Sequence, residues 1–76
     1  MDVNLLLEYA IKEAQNMYNG EVFLVRDLFK GYEWNRIIKR DRLLLGTLFL
    51  NFVKREDISI VPVEKTASGQ QKYKHI

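Results

Sequence analysis

The sequence has no cysteine, one proline, one tryptophan and one histidine. Without cysteine there is no disulfide and no zinc site built on thiolates, which fits a cytoplasmic protein. Long apolar runs are also missing. None approaches the ~18 residues that cross a bilayer, so no membrane partner is expected. The N-terminus lacks the basic segment and small-residue cleavage site of a secretory signal, so it is read as mature sequence.

Catalysis has little to stand on. His75 is the penultimate residue and is expected to be exposed. No HExxH, GxSxG or phosphate-cradling glycine loop occurs. Ser59 and Ser68 have no base near them in sequence. Asp27 and Glu33 flank a glycine turn, where carboxylates are expected to be solvated or paired with Arg26 and Lys30. The residues therefore point away from an enzyme, and to no metal or cofactor.

What is present is a single domain, residues 1–76, with 47% hydrophobic residues to supply a small core. The net charge of +2 conceals an asymmetry. Residues 1–35 carry three basic and six acidic side chains, net −3, whereas residues 36–76 carry nine and four, net +5. A molecule with one cationic side suits an anionic partner, although a solvated face is the plainer reading.

Apolar residues recur at helical spacing over 2–18 (Leu6, Leu7, Ala10, Ile11, Ala14, Met17), with Asp2 as cap and Asn19-Gly20 as stop. Glu21–Val25 reads as a short strand, and Arg26–Gly31 as one or two helical turns closed by glycine. Tyr32–Asn35 form an aromatic connector in which Trp34 is expected to cover the core.

The chain is organised around Trp34–Arg55, where a basic cluster (Arg36, Lys39, Arg40, Arg42) runs into the longest apolar stretch. If the helix began at Asn35, Asp41 would fall on the face of Ile37, Ile38, Leu44, Leu45, Leu48, Phe49 and Phe52, and burying it unpaired is costly. Asp41 is therefore read as the N-cap of a helix running from Arg42 to about Lys54. On that phasing the cations crowd the helix end that favours anions, and a bound phosphate would turn the penalty into a gain. A second stripe, Leu43, Gly46, Leu50 and Val53, is read as covered by the rest of the fold. A homodimer through Leu43, Gly46 and Leu50 is the lesser reading.

Asp57–Val63 reads as a strand whose Pro62 implies an edge position or a bulge. Thr66–Gln70 is a turn, and Gln71–Ile76 the return strand, with Lys72 and Lys74 on one face and Tyr73 and His75 on the other. Helix, short strand, short helix, turn, long helix and hairpin is the order of an α+β winged helix-turn-helix. In that arrangement the third helix and the wing meet nucleic acid.

The runs RDLF at Arg26–Phe29, GYEWNRI at Gly31–Ile37 and LxxLF at Leu45–Phe49, with a closing hairpin ending QKYKHI, resemble a small bacterial family catalogued as a domain of unknown function. The family occurs in Gram-positive genomes and in mobile elements, including staphylococcal cassette elements. The resemblance covers most of the chain from Glu21 onward. It implies a winged helix and, for cassette-borne members, a single-stranded DNA-binding protein working beside replication enzymes. At Ile38–Arg40, where the family often has glycine or proline, this chain is more cationic.

The expected function is non-enzymatic nucleic-acid binding, with single-stranded DNA and the replication of a mobile element favoured by the resemblance. Arg36, Lys39, Arg40 and Arg42 would hold phosphates, Lys65, Lys72 and Lys74 would extend the track along the wing, and Tyr73 would stack a base. Tyr32 and Trp34 are lesser stacking candidates. Two alternatives remain open: a duplex-reading regulator, and a protein-interaction adaptor using the acidic N-terminal half within a replication complex. A monomer is favoured, with a dimer left open.

Overall fold

The computed structural model describes residues 2–76. Helix α1 spans Val3–Ala14, strand β1 Val22–Phe23, helix α2 Gly31–Arg36, helix α3 Lys39–Arg55, strand β2 Ile60–Lys65 and strand β3 Gln71–His75. A 3-10 turn at Val25–Leu28 lies between β1 and α2. The strands form one antiparallel sheet in the order β1-β3-β2. Three α-helices and this sheet make an α+β fold compatible with a winged helix.

Helix α1 starts where Asp2 accepts the Asn4 N–H at 2.9 Å. It ends earlier than its periodicity suggests, because Asn16 and Met17 bond three residues back, to Glu13 and Ala14. Gly20, at φ +93°, then turns the chain into the sheet. The first strand is two residues rather than five. Leu24 gives its N–H to the Asp27 carboxylate at 2.9 Å, which draws the chain out of the sheet and into the 3-10 turn.

Glu33 acts alike on the next element, accepting the Lys30 N–H at 3.0 Å and so starting α2 at Gly31. Asp27 and Glu33 are thus backbone caps at the third helical position, not partners of Arg26 and Lys30. The expected aromatic connector is largely helical for the same reason.

Helix α3 begins at Lys39, three residues before the expected start. The chain breaks in extended geometry at Ile37 and Ile38, so Asp41 enters the first turn without falling into the core. There its carboxylate suits the positive helix end and lies 3.4 Å from Arg40 Nε. Ile37 is buried and Ile38 is exposed, so only one of the pair tucks under the helix.

The core joins one face of α3 to the sheet. Leu45, Phe49 and Val53 recur at four-residue spacing and are buried. Phe49 meets Tyr73 edge to face at 4.8 Å, and Tyr73 stacks on Phe23 at 5.9 Å. The fully buried Ala10 and Ala14 let α1 lie close against this group. Pro62 sits on edge strand β2, opposite Tyr73, and the pairing slips between Pro62 and Lys65. Among the described residues no helix is long and apolar enough to cross a membrane.

Candidate nucleic-acid interface

The hairpin tip is held in place by its own hydrogen bonds. Gly69 adopts φ +88° and donates to the Thr66 carbonyl at 2.9 Å. The Thr66 side chain accepts the Gln70 N–H at 3.0 Å, and the Thr66 N–H returns to the Gln70 carbonyl at 2.8 Å. This ordered tip closes one wall of a cleft of about 480 Å³. The start of α3, Trp34 of α2 and the 3-10 turn line the rest of it.

Among the described residues three cations, Arg26, Lys39 and Arg42, line the cleft, and no carboxylate does. None of the three has an acidic partner within 4.0 Å among the described residues. Arg42 is the fixed member of the set. Its Nη2 donates to the Asn35 carbonyl at 3.2 Å, and its guanidinium lies 5.7 Å from the Trp34 ring centre. Its Nε is buried and makes no hydrogen bond among the described residues. The N-cap of α3 is Ile38, whose side chain cannot accept, so among the described residues the first N–H groups of the helix have no side-chain cap. Cations, free amides and an aromatic wall together form a receptor for a phosphate with a planar group attached.

The residues expected to form the site fall into separate groups. Lys39 and Arg42 line the cleft. Arg40 points to solvent, with its side chain 82% exposed beside Asp41. Arg36 turns the other way, its guanidinium 4.9 Å from the Tyr32 ring, and lines a different groove. On the wing, Lys65 pairs with Gln71, a cleft residue, and so shares its face of the sheet. Lys72 and Lys74 alternate with Tyr73 and lie on the outer face, with Lys72 3.3 Å from Glu64. A backbone hydrogen bond, and after it this ion pair, lowers the Glu64 pKa.

Tyr73 cannot stack a base. It is 1% exposed, and its ring is packed against Phe23 and Phe49. The alternation expected of β3 holds, but Tyr73 falls on the face that the core covers. His75 is likewise half-buried in the sheet rather than loose, donating its N–H to Glu21 at 3.0 Å.

Arg26 and the Gly69–Gln71 tip are absent from the site expected on sequence grounds, and Trp34 enters it mainly as a cover for the core. Trp34 does cover Phe29, at 5.7 Å between ring centres, and also borders the cleft. The signal for Arg26 is its place beside Asp27, the residue that caps the 3-10 turn whose first residues line the cleft. Leu43 and Gly46, expected to be covered, line the cleft as well, while Val53 of the same stripe is buried. Among the described residues no group of three or more His, Cys, Asp or Glu side chains is placed to hold a metal ion.

A family model described as Domain of unknown function (DUF1413) matches residues 8–75. The chain belongs to that family. No curated protein and no solved structure matches this family member significantly.

Proposed function

We propose that this protein is a non-enzymatic winged-helix binder of nucleic acid, with single-stranded DNA as its preferred ligand. One observation carries the reading: among the described residues Arg26, Lys39 and Arg42, without acidic partners, share a cleft with the partly buried Trp34 and no carboxylate. Phosphates lie against Lys39, Arg42 and the first amides of α3, and an unstacked base enters beside Trp34. A duplex keeps its bases stacked and paired, so a cleft with an aromatic wall favours a single strand. Lys65 extends the phosphate track along the wing. The resemblance of the RDLF and GYEWNRI runs to cassette-borne relatives adds the setting, replication of a mobile element in the cytoplasm.

The test is a shift assay with single- and double-stranded oligonucleotides, comparing wild type with the Arg26→Ala/Lys39→Ala/Arg42→Ala variant. Preferential single-strand binding that disappears in the variant supports the proposal. Undiminished binding by the variant would remove the cleft as the site. Duplex preference would turn the reading towards a transcriptional regulator.

A further inference from the structure

A second concavity lies on the other side of α2. Its floor is apolar, made by Leu5, Leu6, Tyr9, Phe29 and Ile37, and it encloses about 320 Å³. Two of these five side chains face water, Leu5 at 63% and Tyr9 at 39% exposure, over a base of the buried Phe29 and Ile37. Such side chains gathered in one groove mark an interaction surface more strongly than the same residues scattered singly.

The surrounding charge says what kind of partner fits. Asp2, Leu5, Leu6, Tyr9 and Glu13 follow the three- and four-residue spacing of α1 and form one stripe. A carboxylate therefore stands at each end of this stripe, ~16 Å apart along the helix, Asp2 within the groove lining and Glu13 one turn past Tyr9. Glu33 adds a third from α2. Burial, and then Glu13 and Glu33, push the Tyr9 phenol above its ordinary value, as two nearby carboxylates require. Among the described residues the one cation of the lining, Arg36, is turned onto the Tyr32 ring of its own helix.

We infer that the α1/α2 groove docks a short amphipathic helix of another protein, with an aliphatic stripe flanked at both ends by Lys or Arg. The leucine-type side chains fill the floor in the manner of a helix lying in a groove. The flanking cations meet Asp2 at one end and Glu13 with Glu33 at the other. No described residue lines both this groove and the basic cleft, so the two surfaces can be occupied together. The chain can then tether a basic partner segment to whatever the cleft holds. The inference does not depend on nucleic acid being that ligand.

The probe is a fluorescein-labelled synthetic helix with leucines at i, i+4 and i+7 and lysines about eleven residues apart. A control peptide has glutamate in place of each lysine. Binding is read by polarisation against the full chain, against Leu5→Ser and against Glu13→Lys, with circular dichroism to check folding. The lysine peptide should bind at least ten-fold more tightly than the glutamate peptide, weaken as salt rises, and lose ten-fold or more in each variant. Oligonucleotide binding measured on the same variants should stay unchanged. Equal binding of the two peptides, no binding of either, or indifference to Leu5→Ser would overturn the inference. So would a wild-type dimer in sedimentation that Leu5→Ser dissolves, because the occupant would then be a second copy.

Discussion

The Arg42 guanidinium lies 5.7 Å from the centre of the Trp34 ring while its Nη2 holds the Asn35 carbonyl at 3.2 Å. These two interactions tie the first turn of α3 to α2 and fix one cation at the mouth of the cleft before any ligand arrives. A fixed cation loses less conformational freedom on binding than a free one. Arg42→Ala should therefore weaken oligonucleotide binding ten-fold or more and cost roughly 1 kcal/mol of stability by removing the cation from the ring face. Arg40→Ala, removing a side chain 82% exposed, should change affinity less than three-fold. Fluorescence anisotropy and thermal unfolding of the two variants provide the comparison.

The two sets of cations should differ in salt dependence. Removing one cation from a phosphate flattens the logarithmic salt slope by about 0.7 for a single strand, so Arg26→Ala/Lys39→Ala/Arg42→Ala should lower it by about 2. Lys72→Ala/Lys74→Ala, on the outer face of the sheet, should leave the slope unchanged. Affinities across a salt series decide the matter. A slope that falls equally in both variants would extend the contact from the cleft onto the outer face of the wing.

Gly46 separates stability from binding at one position. It lies inside α3 and lines the cleft, and an added Cβ would meet nothing within 4 Å. Helix-interior glycine costs about 0.5–1 kcal/mol relative to alanine, so Gly46→Ala should raise the unfolding midpoint. Gly46→Leu also removes the glycine but fills the cleft, and it should abolish base insertion in a chain that still folds. Thermal unfolding with a binding titration on each variant checks both outcomes.

Much of the fold is legible in the sequence because its periodicities are clean. The spacing of Leu45 and Phe49 marks the buried face of α3, and the alternation of β3 holds. Val53, assigned to the second stripe, instead joins the core, and Tyr73, expected to stack a base, faces it. What escapes is short-range polar chemistry. Asp27 and Glu33 look like surface charges in sequence, yet they terminate β1 and start α2 by taking single N–H groups. A helix running unbroken from Asn35 would bury Asp41, a conflict that the break at Ile37–Ile38 removes. The site is half legible for a related reason. A run of cations in sequence says nothing of direction, and Arg36, Arg40 and Arg42 end up facing three ways.

Tyr73 links the core to pH. Burial pushes its phenol from the ordinary 10.0 up to about 12. The folded chain keeps this proton where the unfolded chain has released it, so the stabilisation is complete below pH 10 and falls as pH rises from 10 towards 12. Tyr73→Phe should remove that part of the alkaline loss while leaving oligonucleotide binding at neutral pH intact. Denaturant midpoints of both proteins from pH 8 to 12 test the sign.

Trp34 is the only tryptophan and stands at the proposed site, so its emission reports on the cleft without any label. In a titration with single-stranded oligonucleotide at low and high salt, the emission should change saturably. It should do so at lower concentration in low salt, and the change should disappear in Lys39→Ala/Arg42→Ala. Emission that stays constant while a shift assay records binding would place the nucleic acid elsewhere on the molecule.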